Sequence, residues 1–166
     1  MDIQKLVKDA IQSEEEAAHI YQSITASIQD EKVKTVFNGL VEEEFAHKET
    51  LEALHPFLTG SKKDIPFPSI PKRTISKQQL NSKLFTSDMK EKINAKQHLL
   101  NAISFAMTLE LSAEKQYKKM AEFADNQEAK TLLLFLATWE HEHYEFLALQ
   151  NKNLLSLYGP ETDFQP

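Results

Sequence analysis

The stretch ATWEHEHYEFL, residues 137–147, sets Glu140, His141, Glu142 and His143 in succession inside a run with apolar residues on both sides. Glu140 and His143 are three apart and so share one side of a helix. A solvated helix face accommodates such a pair at no cost; an inward-facing pair needs a reason to be buried. Leu132, Leu136, Glu140, His143 and Leu147 advance by three or four residues, which draws one apolar stripe with the acid and the imidazole in it. Val36, Leu40, Glu44, His47, Leu51 and Leu54 draw the same stripe nearly a hundred residues earlier.

The two stripes belong to an internal repeat. Displacing the chain by 96 residues pairs Ala10 with Ala106, Glu14 with Glu110, Ala17 with Ala113 and Tyr21 with Tyr117. It also pairs Lys34 with Lys130, Thr35 with Thr131, Leu40 with Leu136, Glu44 with Glu140, His47 with His143, Glu49 with Glu145 and Leu51 with Leu147, without a gap. Helical spacing of apolar residues runs over 3–28, then from the polar break QDEK (29–32) to the residue before Pro56, then over about 92–124 and, after the break DNQE, over about 128–155. Residues 56–75 hold four prolines and a glycine, which forbids a continuous helix. A short, weak helix is expected over 76–91 with Ser76 as N-cap, and residues 156–166 are expected to form a tail. The prediction is an all-α four-helix bundle, a single domain over 1–166. It consists of two similar hairpins (about 3–55 and 92–155), related by a pseudo-twofold axis and joined by a long crossover, 56–91.

Composition narrows the function. The chain has 166 residues, 41% of them hydrophobic and 27% charged, as a globular domain requires. A formal charge of −6 gives no reason to expect binding to nucleic acid or to an anionic membrane. No apolar run reaches the length of a membrane span and no signal-peptide pattern is present, so the cytoplasm is the expected location. The absence of cysteine removes disulfides, thiolate metal sites and cysteine nucleophiles. Any metal must be held by carboxylate and imidazole.

In each half a glutamate precedes the Glu-x-x-His by 30 residues, Glu14 before Glu44 and Glu110 before Glu140. The midpoints, residues 29 and 125, fall in the polar breaks. Residues equidistant from the turn of an antiparallel hairpin lie side by side, so each set shares a level about 20 Å from its turn at roughly 1.5 Å per residue. Four glutamates then face the core together. Burying them unpaired is prohibitively costly, and two imidazoles offset at most two charges. A pair of metal ions matches Glu14, Glu44, His47, Glu110, Glu140 and His143 far better. Glu15, Glu16, Glu42, Glu43, Glu142 and Glu145 fall off the stripes and are expected in solvent. His19, His55, His98 and His141 have no counterpart in the repeat and are expected at the surface or as caps. Tyr21 and Tyr117 lie two turns beyond Glu14 and Glu110, either as plain core aromatics or as hydroxyls bonded to a carboxylate of the other hairpin.

The pattern Glu14-x-x-Ala17-x-x-x-Tyr21 with Glu44-x-x-His47, repeated as Glu110-x-x-Ala113-x-x-x-Tyr117 with Glu140-x-x-His143, resembles the rubrerythrin branch of the ferritin-like di-iron proteins over roughly residues 3–55 and 95–152. The resemblance implies two iron ions bridged by Glu44 and Glu140, with Glu14, His47, Glu110 and His143 as terminal ligands; manganese or zinc suit the same ligands. It also implies parallel second and third helices. Two departures stand out. The four-cysteine rubredoxin-like site of full-length rubrerythrins is missing, which implies an external electron donor. Ala113 stands where rubrerythrins carry a further glutamate associated with peroxide chemistry, with Glu114 the nearest acid.

Three functions follow as expectations. The first is a di-iron oxidoreductase of peroxidase or ferroxidase type, acting on peroxide, dioxygen or ferrous iron in oxidative-stress defence or iron handling. The second is a non-catalytic iron-binding or sensing module. The third, a metal-free interaction bundle, is disfavoured by the four inward glutamates. Related proteins often pair, so a homodimer is expected.

Overall fold

The computed structural model describes residues 3–60, 66–93 and 96–158. Helices α1 (Ile3–Ala26), α2 (Glu31–Leu58), α4 (Lys96–Phe123) and α5 (Gln127–Tyr158) form the bundle, and the crossover holds α3 (Lys77–Leu80) and a 3-10 segment (Ser87–Lys92). No helix among the described residues is long and apolar enough to cross a membrane. The only β pairing described is a single antiparallel bridge between Ile28 and Ile93.

Each polar break ends one helix and caps the next. Asp30 accepts from the amides of Lys32 (3.0 Å) and Val33 (3.3 Å), satisfying two donors that the first turn of α2 cannot satisfy itself. Asn126, its partner in the repeat, accepts from Glu128 (2.8 Å) and Ala129 (3.0 Å) at the start of α5. The capping residues are therefore part of the duplication.

α1 packs on α2, α4 on α5, and α1 on α4. Tyr21 bonds Glu110 while Tyr117 bonds Glu14, so α1 and α4 run antiparallel. Since α1 is also antiparallel to α2 across their hairpin, α2 and α4 run parallel. This is the ferritin-like four-helix bundle, two similar hairpins joined by a crossover that must return along its length.

The core is divided. One apolar cluster contains Tyr21, Ile24, Phe37, Leu40, Ile103 and Phe146. The other contains Val7, Leu51, Leu54, Tyr117, Met120 and Leu136. Both draw on all four long helices, and the level between them is the one where the four glutamates and two histidines lie.

The boundaries differ from the expectations in four places. α2 continues through Pro56 to Leu58, because a proline in the last turn removes only the amide owed to the Glu52 carbonyl, and the amide of Thr59 still closes on His55 (3.0 Å). Ser76 does cap a helix, with a full capping box to Gln79, but that helix ends at Leu80 rather than running to 91. The crossover next fills the core: Phe85, Met89 and Ile93 are buried there, with Met89 carried on the 3-10 segment and Phe85 and Ile93 flanking it. α4 begins at Lys96, since Ile93 is drawn into its bridge with Ile28. α5 extends to Tyr158, so residues 156–158 of the expected tail are helical; 159–166 lie outside the described residues.

Candidate metal centre

Glu14 comes from α1, Glu44 and His47 from α2, Glu110 from α4, and Glu140 and His143 from α5; each is at most 1% exposed. All six meet. Their donor atoms fall into two groups, Glu14–Glu44–His47–Glu140 and Glu44–Glu110–Glu140–His143, with the atoms of each group within 4.8 Å of one another. Glu44 and Glu140 belong to both groups. His47 Nδ1 is 2.7 Å from Glu140, 3.6 Å from Glu14 and 3.7 Å from Glu44. His143 Nδ1 is 3.0 Å from Glu44 and 3.7 Å from both Glu110 and Glu140. The two imidazoles are stacked, with centroids 5.8 Å apart.

Both tyrosines take the polar reading. Tyr117 Oη donates to Glu14 Oε1 at 2.8 Å, and Tyr21 Oη donates to Glu110 Oε1. Each hydroxyl reaches across from the other hairpin. Both phenols titrate well above their ordinary value, first because they are buried and then because carboxylates surround them. They are neutral donors.

Burial raises the carboxyls of Glu14 and Glu110 well above the usual range, and the charges of Glu140 and Glu44 push the same way. Burial raises Glu44 and Glu140 too, but the imidazoles outweigh it and both are held below the usual range. Burial opposes protonation of His47 and His143, yet the carboxylates around them win and both are raised. Without metal these shifts favour protons on Glu14, Glu110, His47 and His143 and charge on Glu44 and Glu140, which draws the cluster towards neutrality.

Fit to a metal can be judged from the donor atoms. Glu14 Oε2, Glu110 Oε2, both oxygens of Glu44 and of Glu140, and Nδ1 of both histidines are fully buried and make no well-directed hydrogen bond, the short Nδ1–carboxylate approaches being ion-pair contacts only. In a native core such orphans are rare and costly. Here they are the atoms that face the centre, and the carboxylate–imidazole set is of metal-binding kind.

Sequence reasoning missed one residue. Glu43, expected in solvent, is fully buried. It accepts from the amides of Thr74 (2.6 Å) and Ile75 (2.7 Å) and pairs with His143 Nε2 at 2.9 Å. Burial works against its charge, but His143 and the two amides outweigh that and keep it ionised. Its partners lie on another hairpin and on the crossover, so no local spacing reveals them; the one signal is Gly39, a turn earlier on the face that the crossover covers. Glu142 is also partly withdrawn from solvent, in an ion pair with Arg73. Glu15 is likewise only part-exposed, 3.4 Å from Lys48, whereas Glu16, Glu42 and Glu145 are exposed.

His19, His98 and His141 are exposed as expected, and His55 is half-buried. Ala113 is buried in the second apolar cluster. Glu114 turns away from the centre to Lys118 and to His141 Nδ1 (3.2 Å), so it does not replace the carboxylate that Ala113 lacks.

A ferritin-like bundle with glutamates and histidines gathered between two apolar clusters defines a class, the helical carboxylate proteins with a metal site in the bundle core. Within it the chain belongs to the rubrerythrin family, whose model, described as Rubrerythrin, matches residues 5–150. A similar solved structure is "Hypothetical Protein Pfu-1136390-001" from Pyrococcus furiosus, 26% identical, with 94% of this chain and 92% of that one covered and a TM-score of 0.69. No curated protein matched the sequence.

Proposed function

We propose that this single ferritin-like domain is a cytoplasmic di-iron oxidoreductase that takes electrons from an external donor and acts on peroxide, dioxygen or ferrous iron. The observation that supports it most is the pair of overlapping four-residue groups sharing Glu44 and Glu140. On this reading Glu44 and Glu140, common to both groups, would be shared between the two ions, with Glu14 and His47 holding one and Glu110 and His143 the other. A bound pair of iron ions supplies two electrons to one small oxidant. Manganese and zinc suit the same ligands, and family membership favours iron.

The chain's own groups have distinct tasks. Tyr21 and Tyr117 each fix one oxygen of a terminal carboxylate and leave the other facing inward. Apolar clusters above and below the centre keep bulk water away. Ala113 leaves one side a carboxylate short of the rubrerythrin pattern, which supports a second reading as a non-catalytic iron-binding or sensing module. A homodimer is part of the proposal by analogy with relatives.

The deciding experiment loads the protein with ferrous iron without oxygen, measures iron per chain, and adds peroxide in many-fold excess with a reductant. Two ions per chain and continued peroxide loss support the enzyme. A single oxidation that stops at the bound iron favours the module. A protein that retains no metal overturns both readings.

A further inference from the structure

The duplication breaks down one residue before each shared glutamate. Glu43 precedes Glu44, but its counterpart before Glu140 is Trp139. α2 and α5 face each other antiparallel, so each of these residues reaches the histidine of the other helix. His143 Nε2 meets the carboxylate of Glu43 at 2.9 Å. The His47 ring packs against the indole of Trp139, with ring centroids 5.0 Å apart, and its Nε2 has no hydrogen-bond partner among the described residues.

The two histidines are therefore held differently. Glu43 takes the Thr74 and Ile75 amides on Oε1 and the imidazole on Oε2, so its position is fixed from the crossover. A carboxylate on Nε2–H locks the tautomer that turns the Nδ1 lone pair inward and makes that nitrogen a stronger donor. Trp139 offers His47 contact but no acceptor, so that ring is neither locked nor strengthened.

We propose that Glu43 makes the two halves of the centre unequal in metal affinity: the ion beside His143 binds first and more tightly, and the ion beside His47 binds second. This rests on the two-ion reading above and concerns the order of binding within it. It also gives the crossover a task, since the segment 74–75 positions the carboxylate that sets the order.

Trp139 is the chain's one tryptophan, so its emission reports on the His47 side. Metal-free protein would be titrated with Zn²⁺, following heat and tryptophan emission together. The expected result is two steps separated by about 10- to 100-fold in affinity, with emission changing mainly at the second equivalent. In Glu43→Gln the amide oxygen still serves Thr74 and Ile75, but an NH₂ now faces His143. That demands an acceptor at Nε2 and places the imidazole proton on Nδ1, the atom aimed at the metal. The tight step should weaken about 10- to 100-fold while the weaker step holds; Glu42→Gln, on the exposed neighbour, should leave both unchanged.

If the Gln variant does not fold, the native zinc-loaded protein still carries the test by nitrogen-edited NMR. A downfield, slowly exchanging Nε2–H on His143 but not on His47 supports the assignment. Equal affinities in the native protein, emission that changes from the first equivalent, identical Nε2–H signals on the two histidines, or an intact tight step in Glu43→Gln overturns it and leaves the two-ion centre standing. Failure to bind two zinc ions overturns both.

Discussion

Glu14 and Glu110 carry the cost of the centre in the metal-free protein. Burial holds both carboxyls protonated well above their usual range, and glutamine keeps the oxygen that each tyrosine needs. Glu14→Gln or Glu110→Gln should therefore raise metal-free stability at neutral pH by about 1 kcal/mol, because glutamine is neutral without the proton uptake on folding that a raised carboxyl requires. That reads as ~2–4 °C in Tm for a domain of this size, while metal content falls. Thermal unfolding with metal analysis checks both halves of the statement; a lowered Tm would mean that the acids stabilise the fold themselves. Tyr21→Phe and Tyr117→Phe remove a different thing. Each strips the partner from a buried carboxyl oxygen, a loss of about 1–3 kcal/mol, yet neither touches a ligand atom. Metal content should stay near that of the native protein while the rate at which the reduced centre reacts with peroxide changes. Unaltered kinetics in both would reduce the tyrosines to structural supports.

Between elements, the decisive contact is that of the crossover with α2. Gly39 is a poor choice for a helix interior, about 1 kcal/mol worse than alanine, but a Cβ there would stand 2.9 Å from Ile75 Cγ1. The glycine lets the crossover lie close enough for Thr74 and Ile75 to donate to Glu43. Gly39→Ala should gain helix propensity and lose more to overpacking, typically 1–3 kcal/mol. Amide exchange at Thr74 and Ile75 should accelerate more than at Leu54, buried at the far end of the same helix. Uniform protection would mean that Ile75 adjusts without moving the segment. The legibility of this contact in the sequence was low. Periodicity reported the stripes of α2 and α5 and so found Glu44, His47, Glu140 and His143, but Glu43 lies beside the stripe, facing a crossover whose path no period describes.

Across the whole molecule, protons and metal compete for one set of atoms. In the metal-free protein Glu14, Glu110, His47 and His143 all bind protons more tightly than in the unfolded chain. Above the ordinary carboxyl value of 4.5, where the lowered acids are ionised in both states, these groups leave the native state with more protons than the unfolded one, up through the raised imidazole values above 6.5. Stability falls as pH rises across that window. Glu44 and Glu140 are lowered, so their contribution is present above the ordinary value and lost only as pH falls through their native values. Metal binding has the opposite slope, because the ligands must be deprotonated. The gap in Tm between zinc-loaded and metal-free protein should widen from about pH 6 to about pH 8, and binding should release protons. Calorimetry in buffers of different ionisation heat measures that release; none, or a gap that narrows with pH, would place the metal elsewhere.

The sequence by itself determined the bundle, its duplication and the six residues at one level, because helical periodicity and equal distances from two polar breaks are properties of order along the chain. It also confined any metal to oxygen and nitrogen ligands. Only the tertiary structure decided how the two halves differ. Duplication makes Glu44–His47 and Glu140–His143 alike, but Glu43 and Trp139 act on histidines of the opposite hairpin, and the crossover gives backbone amides to Glu43 while laying Arg73 over Trp139. Whether a glutamate beside a stripe meets water or a buried imidazole depends on what packs over it, and that is fixed by the path of a segment distant in sequence.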